Sequence, residues 1–258
     1  MSDLVVLKLG GSVITDKSTP LSFRGEVMAR IGREIARCWP TPLVVVHGGG
    51  SYGHPIAKEY SLDTGFREQR QLEGFVKTIQ SMRMLNKLVT ESLIEVGIGA
   101  LGMPASLLFI TNRDQIETAH LDIIFSSLDL GVIPVTCGDA VFDRSKRFTI
   151  LSGDSIAVYL AKTLKARRLV FAVDVDGVYH IDRQTGRRTL LESLTYRRHE
   201  TLLYRDVEDV TGGMFEKVET AFEASRAGVE VVLVNGLVEG RVEEAVKGGK
   251  VIGTRLVS

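Results

Sequence analysis

The chain has 258 residues, 44% of them hydrophobic and 25% charged, and its 32 basic and 32 acidic side chains cancel. This composition is that of an ordinary globular protein and excludes the disordered and fibrous classes. The balanced charge excludes a nucleic-acid or anionic-membrane binder held by bulk electrostatics, so any anion must be caught locally.

In chain order, apolar β-branched runs alternate with helical stretches. A strand is predicted over 4–10 (LVVLKLG), a helix over 23–38, a strand over 42–48 (PLVVVHG), a long helix over 69–96 and a strand over 131–138 (GVIPVTCG). A charged hairpin follows at 141–152, then a helix over 153–165, a strand over 167–175, a helix over 213–227, a strand over 229–236 and a helix over 238–247. Short, β-branched strands separated by helices predict an α/β fold with a mostly parallel sheet buried on both faces. No repeat or linker divides the chain, so 1–258 reads as one domain with two lobes, approximately 1–165 and 166–258.

Cys38 and Cys137 are too few for a disulfide framework or a zinc site of recognisable spacing and read as reduced, buried thiols. The N-terminus shows no basic segment followed by an apolar run, and no stretch is long and apolar enough to span a bilayer. A cytoplasmic location, with no membrane and no nucleic acid as partners, is expected.

Glycines punctuate the pattern where strands end, which is where open α/β sheets place ligands. Gly10 and Gly11 with Ser12 follow the first strand, Gly48, Gly49, Gly50 and Gly53 the second; Gly153 opens one helix and Gly212 and Gly213 another. Glycine lets backbone N–H groups approach an anion, and a helix N-terminus adds its dipole. Turns of this kind at several strand ends suggest a long polyanion.

Gly48, Gly50 and Gly53 also satisfy the dinucleotide fingerprint G-x-G-x-x-G. That reading expects an acid at the end of the next strand, whereas Glu68 and Glu73 fall on a loop and a helix. It also leaves the first turn and Lys8 unexplained, and ranks below phosphate chemistry. No Walker P-loop or protein-kinase signature is present. The cations must then come from lysines near the turns: Lys8, Lys17 and Lys217. Lys8, in an apolar strand, would be expensive to bury without an anionic partner.

Taken together, KLGGS, VVHGGGSYGH, SGD, VDVDGVY, VTGGMFEK and LVNG, in this order over nearly the whole chain, resemble the amino acid kinase family. His54 and GGSVITDK look most like its isopentenyl phosphate kinase branch. The resemblance implies a three-layer α/β/α sandwich whose N-terminal lobe binds the phosphoryl acceptor and whose C-terminal lobe binds ATP, with Mg²⁺ bound through ATP. It implies that Lys8, Gly10, Gly11 and Ser12 surround the ATP phosphates, that Gly50 lies beside the transferring group, and that Lys17 stabilises the transition state. Gly49, His54 and Gly153 would hold the acceptor phosphate, Asp154 would orient the active-site lysines, and Asp174, Tyr179, Gly213 and Lys217 would contact the nucleotide. Ala172 stands where relatives often have threonine.

The acceptor implied is isopentenyl phosphate, with dimethylallyl phosphate as a near variant, and the protein is expected to form a homodimer. Along the 69–96 helix, Phe75, Ile79, Met82 and Met84 could line an apolar tail pocket, with Phe75 and Ile150 matching tail-pocket positions of the family. His47 is left to packing or backbone hydrogen bonding. Two alternatives stay open: another small phosphate, phosphonate or carboxylate acceptor, and a non-catalytic nucleotide sensor.

Overall fold

Alternation along the first strand sets up the layers. In the computed structural model, which describes residues 3–182, 184–198 and 213–258, β1 (Val5–Leu9) is buried along its whole length. Val6 packs into one core with Ile156, Leu160, Phe171 and Phe222. Val5, Leu7 and Leu9 pack into a second with Met28, Ile31, Leu85, Val89 and Val242. A strand that feeds two cores must be covered on both faces, and the result is the expected three-layer sandwich.

The strands after β1 are β2 (Leu43–His47), β3 (Ala100–Gly102), β4 (Phe109–Asn112), β5 (Gln115–Ala119), β6 (Ile133–Cys137), β7 (Asp139–Asp143) and β8 (Arg147–Leu151). The series ends with β9 (Arg168–Val173), β10 (Tyr179–Ile181), β11 (Arg188–Leu190), β12 (Ser193–Thr195), β13 (Glu230–Asn235) and β14 (Gly253–Val257). The main sheet has eight strands in the order β12-β14-β13-β9-β1-β2-β6-β3, and its interior pairs are parallel. Among the described residues, only the β13–β14 pair is antiparallel in that sheet.

The helices are α1 (Gly11–Ile14), α2 (Gly25–Ala36), α3 (Gly50–Glu59), α4 (Arg70–Ile94), α5 (Ala105–Leu108), α6 (Asp122–Asp129), α7 (Gly153–Thr163), α8 (Met214–Arg226) and α9 (Arg241–Lys247). Helices α2, α4 and α9 cover one face of the sheet, and α7 with α8 covers the other. Every strand and helix expected from sequence is present, with ends shifted by at most three residues.

The structure adds a four-stranded sheet, β5-β4-β7-β8, of which the expected charged hairpin supplies β7 and β8. It also adds edge strands β3 and β12, the strand β14 between β12 and β13, and the small hairpin β10–β11. These were missed because they are short or half-exposed and carry no apolar run. Among the described residues no helix is long and apolar enough to cross a membrane.

Candidate active site

Strand register gathers the glycine turns on one edge of the sheet. Leu9 pairs with His47 on one side and Ala172 on the other, His47 with Cys137, and Ala172 with Val234. The loops starting at Gly10, Gly48, Gly138, Asp174 and Gly236 therefore leave the same carboxyl edge side by side. The edge is sealed by backbone bonds: Gly10 N–H donates to the Ala172 carbonyl, Gly48 N–H to Leu9, Gly138 N–H to His47 and Gly236 N–H to Val173. Those amides are committed to the protein. Among the described residues, the N–H groups of Gly11, Ser12, Gly49, Gly50, Gly153 and Asp154 have no protein acceptor, so they are the donors left for an anion.

Two of the turns touch backbone to backbone. A β-carbon on Gly11 would lie 2.5 Å from the Gly50 nitrogen, and one on Gly48 would lie 2.8 Å from the Gly11 nitrogen. Gly50 itself has φ +48°, in the left-handed region that favours glycine. Gly153, at the start of α7, presses on the same place, since a β-carbon there would be 2.9 Å from the His47 carbonyl oxygen. The first-strand turn, the second-strand turn and the α7 N-terminus thus converge on one seam with no side chain between them.

The cations follow from the layering. Lys8 occupies the same face of β1 as Val6, the face covered by α7 and α8, and meets one acid from α7 and one lysine from α8. Its Nζ is 2.6 Å from Asp154 Oδ1, while Lys217 Nζ donates to Asp154 Oδ2 at 2.5 Å. Lys8 is 4% exposed, and that burial pushes its ammonium down to about 8, with Asp154 opposing and Lys217 adding to the shift. For Asp154, burial pushes upward, but Lys8 and Lys217 overcome it and hold the carboxyl well below the usual range. One carboxylate therefore binds two ammonium groups and leaves a net positive charge, which is what a bound polyphosphate requires.

Lys17 and His54 stand differently. Lys17 lies in the exposed loop after α1, and among the described residues it has no acidic partner. His54, in α3, keeps a solvent-exposed edge. Partial enclosure in the cleft, and after it Lys17 and Lys8, push its imidazole below the ordinary value. His54 thus shares the electrostatic field of all three lysines and of Asp154.

Its neighbour in sequence motif, His47, is fully buried and held down to about 4 by that burial. Its Nδ1 faces the Gly48 carbonyl at 3.1 Å, and its Nε2 faces the Asn86 amide at 3.1 Å. The Asn86 amide also donates to Val135 O. A neutral ring with Nδ1–H donating to Gly48 O fixes the Gly48–Gly49 peptide, whose N–H faces the opposite way. Sequence reading found His47 but not its partner Asn86, because nothing in helix periodicity marks an asparagine whose amide reaches a strand.

The apolar residues split. Phe75 stacks on Phe148 with centroids 5.0 Å apart and tilts against Phe142 at 5.4 Å. Ile79 and Ile150 pack on the same cluster, as do Ile56 and Ala57 from the turn of α3 after His54. Met82 belongs instead to the main core beneath Gly53, and Met84 is exposed. Met84 falls on the opposite face of α4 from Phe75, whereas Met82 shares the Phe75 face but stands two turns further along the helix, against the sheet core.

On the far side of the seam, Tyr179 OH donates to Asp176 Oδ2 at 3.2 Å, and Asn235 Nδ2 donates to Asp176 Oδ1 at 3.1 Å. Arg241 approaches the same carboxylate at 3.5 Å. Asp176, not named from sequence, organises this corner, while Asp174 stands half-buried at the end of β9. The doublet of acids in VDVDG was the available signal. Gly213 caps α8 four residues before Lys217, and its carbonyl accepts the Lys217 N–H. Gly212 lies outside the described residues.

A parallel sheet whose carboxyl edge joins two bare phosphate turns over a lysine–carboxylate–lysine cluster is the site of one class of phosphotransferase fold. The model of the amino acid kinase family matches residues 3–235, and the chain belongs to that family. Among its relatives, the isopentenyl phosphate kinase of Methanothermobacter thermautotrophicus is 34% identical, with 98% of each chain covered. That of Methanocaldococcus jannaschii is also 34% identical, over 84% of this chain and 85% of the relative. A solved structure described as isopentenyl phosphate kinase superposes with a TM-score of 0.86 at 31% identity, covering 98% of this chain and all of the other.

Proposed function

We propose that the protein is an ATP-dependent kinase that phosphorylates isopentenyl phosphate to isopentenyl diphosphate. The observation that carries this reading is the contact between the Gly10–Ser12 and Gly48–Gly50 turns beside Lys8, Asp154 and Lys217. Two phosphate cradles in backbone contact bring two phosphates together. The apolar cluster around Phe75 and Ile150, reached from His54 through Ile56 and Ala57, suits a short isoprenoid tail on the second phosphate, that of isopentenyl or dimethylallyl phosphate.

An acceptor phosphate oxygen attacks the γ-phosphorus of ATP, the bond from that phosphorus to the β–γ bridging oxygen breaks, and ADP leaves. The acceptor is already ionised near neutral pH, so no base has to remove a proton. Catalysis is then positioning and charge neutralisation along a loose transition state. Lys8 and Lys217, held by Asp154, receive the ATP phosphates together with the Gly11 and Ser12 amides. Lys17 closes on the transferring group beside Gly50, and His54 with the Gly49 and Gly153 amides grips the acceptor phosphate.

No group of three or more His, Cys, Asp or Glu that could hold a metal occurs among the described residues. Mg²⁺ would accordingly be carried on the nucleotide oxygens, as is usual for this ion, and would supply further charge neutralisation there. Asp174, with Tyr179 and Gly213, belongs to the nucleotide side.

The reading extends to two lobes, 1–165 for the acceptor and 166–258 for ATP, to a cytoplasmic location where ATP is supplied, and to a homodimer. ADP release from Mg-ATP, measured with isopentenyl phosphate beside dimethylallyl phosphate, uridine monophosphate, glutamate, acetylglutamate and fosfomycin, tests it. A strong preference for isopentenyl phosphate is expected. Preference for a nucleotide or amino acid would overturn the acceptor, and no ADP release with any of them would overturn the kinase.

A further inference from the structure

Between the two phosphate turns lies a hydroxyl that the chemistry above does not use. Thr15, at the end of α1, is fully buried. Its Oγ1 donates to the Gly11 carbonyl at 2.7 Å and accepts the Ser51 backbone N–H at 3.0 Å. Gly11 belongs to the first turn, and Ser51 follows Gly50 in the second.

Each bond fixes a peptide plane that carries a functional group. The Gly11 carbonyl and the Ser12 N–H share one planar peptide, so holding the carbonyl aims the amide, which has no protein acceptor among the described residues. On the other side, the bond to Ser51 N–H fixes the Gly50–Ser51 peptide and with it the left-handed backbone of Gly50. The fit is close, since a β-carbon on Gly50 would lie 2.0 Å from Thr15 Oγ1. One oxygen thus restrains both turns at the place where they touch.

We infer that Thr15 is a positioning residue that sets the separation between the ATP-phosphate turn and the acceptor-phosphate turn, and with it the distance over which the phosphoryl group moves. The inference rests on the kinase reading above. It differs from a merely structural role in what it predicts: the Gly11 carbonyl still accepts the Thr15 backbone N–H at 2.8 Å when the hydroxyl is cut, so each turn keeps its own amides and its own ligand, but the two ligands no longer stand at reacting distance. The loss should therefore appear in kcat and not in the binding of either partner alone.

The test compares Thr15→Val, which keeps the shape and loses both bonds, with Thr15→Ser, which keeps the hydroxyl. An ångström-scale misplacement of reacting groups costs on the order of 100-fold, and Thr15→Val is expected to lower kcat by about 30- to 100-fold on that scale. Calorimetric dissociation constants for Mg-ADP alone and for isopentenyl phosphate alone should stay within about threefold, and Thr15→Ser should recover most of the rate. Amide exchange at Ser51 should quicken in Thr15→Val and not in Thr15→Ser.

An unchanged kcat in Thr15→Val, a loss of affinity large enough to account for the whole rate change, or a Thr15→Ser as slow as Thr15→Val would each overturn the inference. Should Thr15→Val not fold, Thr15→Cys, which keeps the size and weakens both bonds, is judged by the same comparison. A wild-type chain that uses another acceptor would overturn the isopentenyl phosphate assignment, and the Thr15 comparison would then be read with that acceptor.

Discussion

Lys8 and Lys17 leave the same strand–turn–helix segment and meet opposite surroundings. Lys8 is buried and bonded to Asp154, which also bonds Lys217. Lys17 is exposed in the loop after α1 and has no acidic partner among the described residues, and His54 opposite it also lacks a side-chain hydrogen bond among them. One wall of the cleft is already tied together by its own ion pairs; on the proposed reaction the other would be completed by the ligand. Two lysines with one charge would then divide the work: the buried one is tied to folding, the exposed one would serve only turnover.

Removing the shared carboxylate should have the largest effect, because it strikes both properties. Asp154→Asn leaves two ammonium groups facing each other, and breaking a partly buried pair of this kind costs about 3 kcal/mol of stability. Turnover should fall by about 100- to 1,000-fold, as expected when preorganised charge at a reacting group is lost. ADP release and thermal unfolding, measured on the same preparation, check both. A variant that lost activity with an unmoved melting temperature would erase the distinction between the walls.

Lys17→Ala should lower kcat by about 100-fold, by the same electrostatic argument, while the unfolding midpoint stays where it was. A lower melting temperature would show that the exposed wall is also part of the fold.

The buried wall should carry its own pH signature. Burial lowers the Lys8 pKa to about 8, so the ammonium is present below that value and lost above it. At limiting Mg-ATP the rate constant kcat/KM should fall about tenfold per pH unit on the alkaline side. Lys8→Arg, whose guanidinium keeps its proton, should move that limb beyond the measured range.

His54 should give the smallest effect. Burial and the neighbouring Lys17 and Lys8 lower its pKa, and a phosphate dianion should raise it by stabilising the charged form. Binding of isopentenyl phosphate should then take up a proton, seen as a buffer-dependent calorimetric enthalpy that His54→Gln abolishes. KM for the acceptor should rise about tenfold, the worth of one charge-assisted hydrogen bond, with kcat little changed.

What sequence could and could not give follows the range of the interactions. The strands of the central sheet were legible because burial on both faces leaves an unbroken β-branched run. The strand β14, second from the sheet's edge and antiparallel to β13, and the β4–β5 pair were not, since strands with exposed positions look like loops. Lys8, Lys17, Lys217 and His54 could be named beside their glycines, because charge next to a bare turn is a local signal; Asp154 was named only through the family resemblance. Thr15, Asn86 and Asp176 could not be assigned roles, because each acts through a partner far along the chain: Ser51, His47 and Asn235. Phe75 and Ile150 were placed together by family resemblance; Met82 is separated from them by two turns along α4 and Met84 by its place on the exposed face.

The seam where Gly11, Gly48 and Gly50 touch backbone to backbone also limits how the protein could acquire a new substrate. No side chain fits there, so the floor of the site cannot be re-cut by substitution. On the proposed reaction, an isoprenoid acceptor would present its phosphate to that fixed floor, and selectivity would drift in the opposite wall, where α4 meets the four-stranded sheet around Phe75, Phe148 and Ile150. The fold would thus divide into a frozen half for the reaction and a plastic half for the choice of molecule.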